Sequence, residues 1–244
     1  MSTSLTICQL YPQHLNMYGD WGNTLVLKRR AEAMGVNVTI IDHDLGSPAD
    51  LSTADLIVGG GGQDSGQLQV HDDLLSQAST LRNLAEDGVP MLMVCGMYQL
   101  FGQSFEASSG EVLPGIGIFD AVSTNGKDRL IGNIAVETED FGTIYGYENH
   151  VGRTTLRSGT VPLGKTSKGC GNNGEDGTEG ARNHHVFGTY LHGSLLPKNP
   201  KFADYLIDTA LTRTNKDWEP VVVEDEELIE LTENARRVAA GRPR

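Results

Sequence analysis

Through its first 102 residues the chain alternates apolar runs the length of buried strands with helical stretches, without an internal repeat. Residues 5–11 lead into a Gly-Asp-Trp-Gly turn and an amphipathic run over 23–34. Residues 36–41 are extended again, and residues 54–58 run into glycines. A long helical pattern follows Ser65 and ends near Asp87, and then comes VPMLMVCGMYQLFG at 89–102. Strand and helix alternating at these intervals predict βαβ units and a mostly parallel sheet. In such sheets ligands sit at the carboxyl ends of the strands.

Beyond Gly102 the texture changes. Residues 116–122, 131–138 and 141–147 are short, partly alternating and separated by turn residues, which predicts antiparallel strands. The segment KTSKGCGNNGEDGTEGAR at 165–182 is polar and glycine-rich, and its composition predicts a mobile loop in which Cys170 is incidental. Residues 185–191 read as a strand and 199–212 as a helix. An acidic-then-basic stretch completes the chain. The expected organisation is a domain over 1–212 and a C-terminal extension over 213–244, partly disordered or used to dock a partner.

Three cysteines, Cys8, Cys95 and Cys170, are too few and too scattered for a disulfide framework, and no paired Cys or His spacing suggests zinc. No metal and no cofactor are expected, and a reducing, cytoplasmic setting is the simplest one. The opening MSTSLTICQLYPQH has no basic segment before its apolar run, and no run approaches the roughly 18 apolar residues of a membrane span, so direct membrane insertion is not expected. A formal charge of -13 argues against a nucleic-acid surface and suits small-molecule or protein partners.

Cys95 stands where the apolar run 89–94 turns into the helix-favouring 97–101. A strand-to-helix corner lifts a thiol out of the sheet and turns the following N–H groups toward it. By position alone a packed core cysteine is the simpler reading, because free cysteine is among the most buried residue types. Two other features bear on the same edge. Gly59-Gly60-Gly61-Gly62 follows a strand and precedes a helix, without the lysine of a P-loop or the spacing of a dinucleotide fingerprint. Such a loop can gather N–H groups around an oxyanion, or can serve a turn that needs positive φ. Among seven histidines, His14, His43 and His71 lie in polar surroundings and read as solvated, and His184 and His185 read as half-buried structure. His192 ends the apolar run Val186-Phe187-Gly188-Thr189-Tyr190-Leu191 and projects from a strand end. Thiol, glycine nest and histidine on one sheet edge make the minimum kit for acyl transfer through a thioester.

These residues carry a family resemblance. VCGMYQLFG resembles the nucleophile segment of class I glutamine amidotransferases, GGGGQDS their oxyanion loop, and FGTYLHG the histidine segment of the cobyric-acid-synthase-like branch; GYENHVGRT at 146–154 narrows the match within that branch. The resemblance spans residues 5–207. It implies a flavodoxin-like three-layer α/β sandwich and a glutaminase subunit that hydrolyses L-glutamine and feeds ammonia to a Mur-ligase-like subunit of the MurT type, for amidation of the D-glutamate of lipid II. On that resemblance Cys95 is the nucleophile and His192 the proton shuttle. Gly96 and the loop Gly60, Gly61 and Gly62 supply the oxyanion donors, Arg129 takes the substrate α-carboxylate, and Gln99 faces the same pocket.

Glu148, Asn149 and His150 belong to the resembling motif without an assigned role; by themselves they read as a solvated turn. Two departures stand out: Met97 where the family pattern has glycine, and Ser194 where it has an acidic residue. The carboxylate behind His192 is therefore open to Asp20, to Glu148 or to a carboxylate presented by the partner, with Ser194 able to orient the ring. Rival readings are the same chemistry serving another acceptor such as a corrinoid carboxylate, a cysteine-dependent α/β-hydrolase, and an inactive glutamine sensor.

Overall fold

The computed structural model describes residues 3–243. The first half alternates as its apolar runs predict: β1 (Ser4–Leu10), α1 (Trp21–Ala33), β2 (Asn37–His43), β3 (Leu56–Gly59), α2 (Asp64–Ser76), α3 (Ala78–Glu86), β4 (Met91–Val94) and α4 (Gly96–Leu100). The helical stretch after Ser65 is two helices, broken at Gln77, whose N–H turns back onto the carbonyls of Asp73 and Leu74. The second half holds β5 (Ser104–Glu106), β6 (Val112–Pro114), β7 (Ala121–Thr138), β8 (Gly142–Leu156), β9 (Gly164–Lys168), β10 (Thr178–Glu179), β11 (Ala181–Asn183), β12 (Val186–Thr189), α5 (Pro200–Thr214) and α6 (Glu226–Gly241).

Two six-stranded sheets result. The first has the order β11-β12-β4-β3-β1-β2, parallel except for β11. The chain leaves this sheet after β4, builds the second sheet, and returns as β12 beside β4. Leu10 lies opposite Gly59, Gly59 opposite Met93, and Val94 opposite Thr189. That register brings the carboxyl ends of β1, β3, β4 and β12 to one line. Every residue of β3, β4 and β12 is buried, as strands covered on both faces require. Helices α1 and α5 pack as a pair, and α2 packs with α3 and α4.

In the second sheet, ordered β10-β9-β7-β5-β6, the expected short strands are instead two long ones, β7 and β8, paired antiparallel from Ala121 and Leu156 to Thr138 and Gly142 with a register shift between Asn125 and Leu130. The turn residues inside this pair sit at that irregularity, which is why they read as breaks between strands.

The expectations for the glycine-rich segment and for two histidines are corrected. The glycine-rich segment is not mobile: β9 and β10 pair within it, and Asn172 at its centre is fully buried. Asn172 accepts from the Gly180 N–H at 3.0 Å and the Tyr98 hydroxyl at 3.1 Å, and donates to the Gly180 carbonyl at 2.9 Å. Polar bonds rather than apolar area fix the segment, and composition registers only the latter. The terminal extension holds α6, capped by Asp225 on the Leu228 N–H. Arg236 docks that helix, donating to the Thr143 carbonyl at 2.6 Å with its guanidinium 4.9 Å from the Tyr145 ring centre. Finally, His43 and His71 are buried rather than solvated. The polar neighbours that suggested solvent are in part their partners: His43 lies 3.1 Å from an Asp73 carboxylate oxygen that also accepts from the Tyr11 hydroxyl, and His71 lies 2.7 Å from the Pro114 carbonyl.

Asn172→Ala therefore removes a buried set of hydrogen bonds and leaves the Gly180 N–H and carbonyl without their side-chain partner. The expected loss is about 1–3 kcal/mol, read as a fall in melting temperature of about 2–4 °C per kcal/mol; an unchanged melting curve would mean the segment contributes nothing to the fold.

Candidate active site

Cys95 follows the last residue of β4 with φ 49° and ψ -102°, a left-handed backbone that a side-chain-bearing residue adopts only under constraint. Such a conformation costs on the order of 1–3 kcal/mol. It is held on both sides: the Cys95 N–H donates to the Thr189 carbonyl at 2.8 Å, and its own carbonyl accepts from the Gln99 N–H at 3.0 Å. The corner leaves the thiol at the sheet edge, between the loop after β3 and the segment after β12.

Gly61 is where the parts converge. A β-carbon placed on it would stand 2.6 Å from His192 Cε1, 3.0 Å from Cys95 Cβ and 3.3 Å from an Asp20 carboxylate oxygen. Only glycine lets the thiol, the imidazole and the acid close around this point. The Gly61 N–H donates to Asp20 Oδ2 at 2.7 Å. The same carboxylate stands 3.4 Å from His192 Nδ1. Both Asp20 and His192 are almost wholly buried.

Asp20, from the turn between β1 and α1, lies on the Nδ1 side of the imidazole. Glu148 is committed elsewhere, accepting from the Cys170 and Gly171 N–H groups at 2.9 Å. Ser194 does not orient the ring: its hydroxyl donates to the Gly19 carbonyl at 2.6 Å and so braces the turn that carries Asp20. The glycine loop is corrected in the same way. The Gly61 N–H is spent on Asp20 rather than on an oxyanion, and Gly60 is a glycine because a β-carbon there would strike the Leu15 carbonyl. Gly62 is the member beside the nucleophile segment, its nitrogen 3.2 Å from where a β-carbon on Gly96 would sit.

Burial alone would pull the His192 imidazolium down. The Cys95 sulfur, together with the hydrogen bond to Asp20 and its charge, outweighs burial and pushes the group up to about 10. A hydrogen bond with the Cys95 side chain adds to this, so both sides of the ring favour its protonated form. The Tyr18 ring packs against it edge-on at 5.0 Å.

A cavity of about 640 Å³ opens in front of Cys95, and Gln99, Arg129, Asn149, His150 and His192 all line it. Gln99 is held between the Gln67 amide and the Tyr190 hydroxyl, at 3.0 and 3.1 Å. Arg129 reaches the cavity from β7 and donates to Asn149 Oδ1 at 3.1 Å, while Asn149 donates to the Tyr18 hydroxyl at 2.6 Å. Glu148, Asn149 and His150 thus belong to a paired strand and not to a solvated turn. Sequence reasoning missed Tyr18 and Gln67 as residues lining this cavity, and singled out Asn149 without a role. The available signal was topological: the turn after β1 lies at the strand end next to the glycine loop. Among the described residues no group of three or more His, Cys, Asp or Glu side chains is placed to hold a metal ion.

Residues 6–200 match the CobB/CobQ-like glutamine amidotransferase domain. The GatD subunit of the glutamine-hydrolysing lipid II isoglutaminyl synthase of Staphylococcus aureus is 37% identical over 93% of this chain and 92% of its own length. Its counterpart from Streptococcus pneumoniae is 39% identical over 86% of this chain and 81% of its own. Among solved structures, PurLQS from Thermotoga maritima superposes with a TM-score of 0.57 over 88% of this chain and 99% of that one at 14% identity, a likeness of fold.

The charge arrangement predicts that His192 stays protonated until about pH 10. Nitrogen NMR of labelled histidine should show that titration, and Asp20→Asn should move it to lower pH, because a neutral amide no longer favours the cation. A titration near 6.5 that ignores the Asp20 change would contradict the arrangement.

Proposed function

Because the chain belongs to the CobB/CobQ-like glutamine amidotransferase family, we propose that it is the glutamine-hydrolysing subunit of a lipid II isoglutaminyl synthase, passing ammonia to a Mur-ligase-like partner of the MurT type that amidates the D-glutamate of lipid II. The observation that carries the chemistry is the closure of Cys95, His192 and Asp20 around Gly61. Cys95 Sγ attacks the side-chain amide carbon of glutamine. The oxyanion forms beside the N–H groups of Gly96 and Gly62, and Gly96 opens a helix whose first N–H groups have no intrahelical partner. His192 Nε2 gives its proton to the departing nitrogen, so ammonia leaves and a thioester remains. Water then adds to the thioester with His192 as base, releasing glutamate and restoring the thiol.

Asp20 fixes the ring through Nδ1 and balances the imidazolium charge, the task of the acid in such triads. Arg129 takes the α-carboxylate, which a guanidinium matches with two parallel N–H donors. The lipid II acceptor is favoured over a corrinoid carboxylate because the two GatD proteins match this chain along 92% and 81% of their lengths. No described helix is long and apolar enough to cross a membrane, and the reaction is assigned to the cytoplasm, beside the partner. An esterase reading lacks the glycine two residues before the nucleophile, where Met93 stands. A mere sensor would have no use for a strained thiol backed by an imidazole and a buried carboxylate.

Cys95→Ala should abolish glutamate release from glutamine while the protein stays folded; undiminished release ends the proposal. Asp20→Asn should lower kcat by on the order of 10²-fold or more, the scale of a disabled acid–base group. Arg129→Ala should raise KM roughly 10- to 100-fold with kcat little changed, the loss of a charged hydrogen bond. The acceptor is tested by supplying amide-¹⁵N glutamine, the partner subunit and lipid II: label is expected in the D-isoglutamine carboxamide, and label only in free ammonia or in a corrinoid would redirect the assignment.

A further inference from the structure

We propose that Gln67 is a positioning residue for the oxyanion site: its side-chain amide bridges the two segments that carry the oxyanion donors, Gly62 after β3 and Gly96 at the start of α4, and so fixes their spacing. The inference rests on the glutaminase reading above and deepens it.

The two donors come from different strand ends. The pairing of β3 with β4 stops at Gly59 and Met93, before either donor is reached. The sheet therefore does not by itself set the distance between them. Gln67 lies on α2, one turn after Gln63, whose carbonyl accepts the Gln67 backbone N–H at 3.1 Å. Its backbone is thus tied to the residue next to Gly62, while its side chain crosses to the other segment. Gln67 Nε2 donates to the Gly96 carbonyl at 3.1 Å and to Gln99 Oε1 at 3.0 Å. Packing joins the same groups. A β-carbon placed on Gly96 would stand 3.2 Å from Gln67 Cγ and Cδ and 3.2 Å from the Gly62 nitrogen. Glycine at 96 lets the Gln67 side chain and the Gly62 backbone approach this closely.

The direction of these bonds is fixed by their partners. A carbonyl only accepts, so the atom of Gln67 that meets Gly96 is the nitrogen, and its two hydrogens serve Gly96 and Gln99. Gln99 in turn gives its own Nε2–H to the Tyr190 hydroxyl at 3.1 Å, and that hydroxyl shares a hydrogen bond with Thr154 Oγ1 at 2.7 Å. Gln67 is 1% exposed, so its bonds are made away from water, where an unpaired amide is costly and the partners are held to one geometry. The chemistry makes the spacing matter. Two N–H groups stabilise an oxyanion only when both meet the position the oxygen takes in the tetrahedral intermediate, which is not the position of the substrate's planar carbonyl. A bridge that sets their spacing acts on the transition state and leaves ground-state binding, assigned to Arg129, nearly untouched.

Gln67→Met keeps the length of the side chain and removes both donor hydrogens. In the full chain kcat for glutamine hydrolysis should fall roughly 10- to 100-fold while KM changes less than about threefold. The probe of the oxyanion site is 5-oxopentanoic acid, an aldehyde with a carboxylate to suit Arg129. The Cys95 sulfur bonds to its carbonyl carbon, the π pair moves to oxygen, and the thiol proton ends on that oxygen, giving a thiohemiacetal with no leaving group. Its affinity should weaken by the same factor as kcat, whereas L-glutamine should bind a Cys95→Ser chain equally well with and without Gln67→Met. In Gln67→Glu a neutral acid keeps one donor hydrogen and an ionised one keeps none, so kcat relative to the unaltered chain should rise as pH falls from about 8 to about 6. A third measurement needs no substitution: both Gln67 NH₂ protons, bonded and buried, should exchange slowly with solvent in labelled protein. An unchanged kcat, a loss carried by KM instead, an aldehyde indifferent to Gln67→Met, a relative rate of Gln67→Glu that ignores pH, or rapid exchange of the Gln67 amide overturns the inference while leaving the glutaminase reading standing. A chain with native Gln67 that releases no glutamate from glutamine overturns both.

Discussion

One carboxylate holds the site in register. Asp20 comes from a turn with no strand of its own, and it receives the Gly61 N–H with one oxygen while its carboxylate faces His192. The turn after β1, the loop after β3 and the segment after β12 are thereby tied at a single buried point. A lone ion in such a place would be expensive, and it is tolerated because a backbone donor and an imidazolium both face it. The turn itself is braced from two further directions. The Met17 N–H donates to the Gly61 carbonyl, and the Ser194 hydroxyl to the Gly19 carbonyl. Ser194 thus acts on the chemistry at one remove, by keeping Asp20 where the imidazole meets it.

The parallel sheet makes this arrangement possible, because its register delivers the four strand ends to one line before any side chain acts. Cys95 then needs only a single strained residue to rise out of that line, and its neighbours on β12 and α4 hold the strain through ordinary backbone hydrogen bonds. Preorganisation of this kind fixes the geometry during folding, ahead of substrate binding.

Much of this was legible in the chain. The alternation of apolar runs and helical stretches specifies the parallel sheet, and the glycine run, Cys95 and His192 each stand at a strand end, which is why their convergence follows from topology alone. Asp20 was harder to read, since nothing in Gly-Asp-Trp-Gly distinguishes a turn acid in solvent from one that enters a site; the distinction lies in a contact 41 residues along the chain. The glycine-rich segment was misread for a different physical reason. Composition measures apolar area, and this segment is fixed by polar contacts. Asn172 fills a buried position between two of its turns, and Glu179, fully buried with its pKa raised to about 7 by burial, accepts from the Thr189 hydroxyl and the Tyr190 N–H at 2.7 and 2.8 Å.

Those last contacts tie the glycine-rich segment to the strand that leads to His192. Glu179 grips the end of β12 two and three residues before His192. From β8, Tyr147 exchanges backbone hydrogen bonds with His192 itself, at 2.8 and 3.3 Å. The same strand carries Glu148, which anchors the glycine-rich segment through the Cys170 and Gly171 N–H groups, then Asn149, which joins Arg129 to Tyr18, then His150. Four consecutive residues therefore alternate in duty as a strand's two faces dictate. Glu148 and His150 are buried, and Tyr147 and Asn149 meet the loops of the parallel sheet. Tyr18, packed on the His192 ring and bonded to Asn149, which in turn accepts from Arg129, joins Arg129 to His192 through one short chain of contacts.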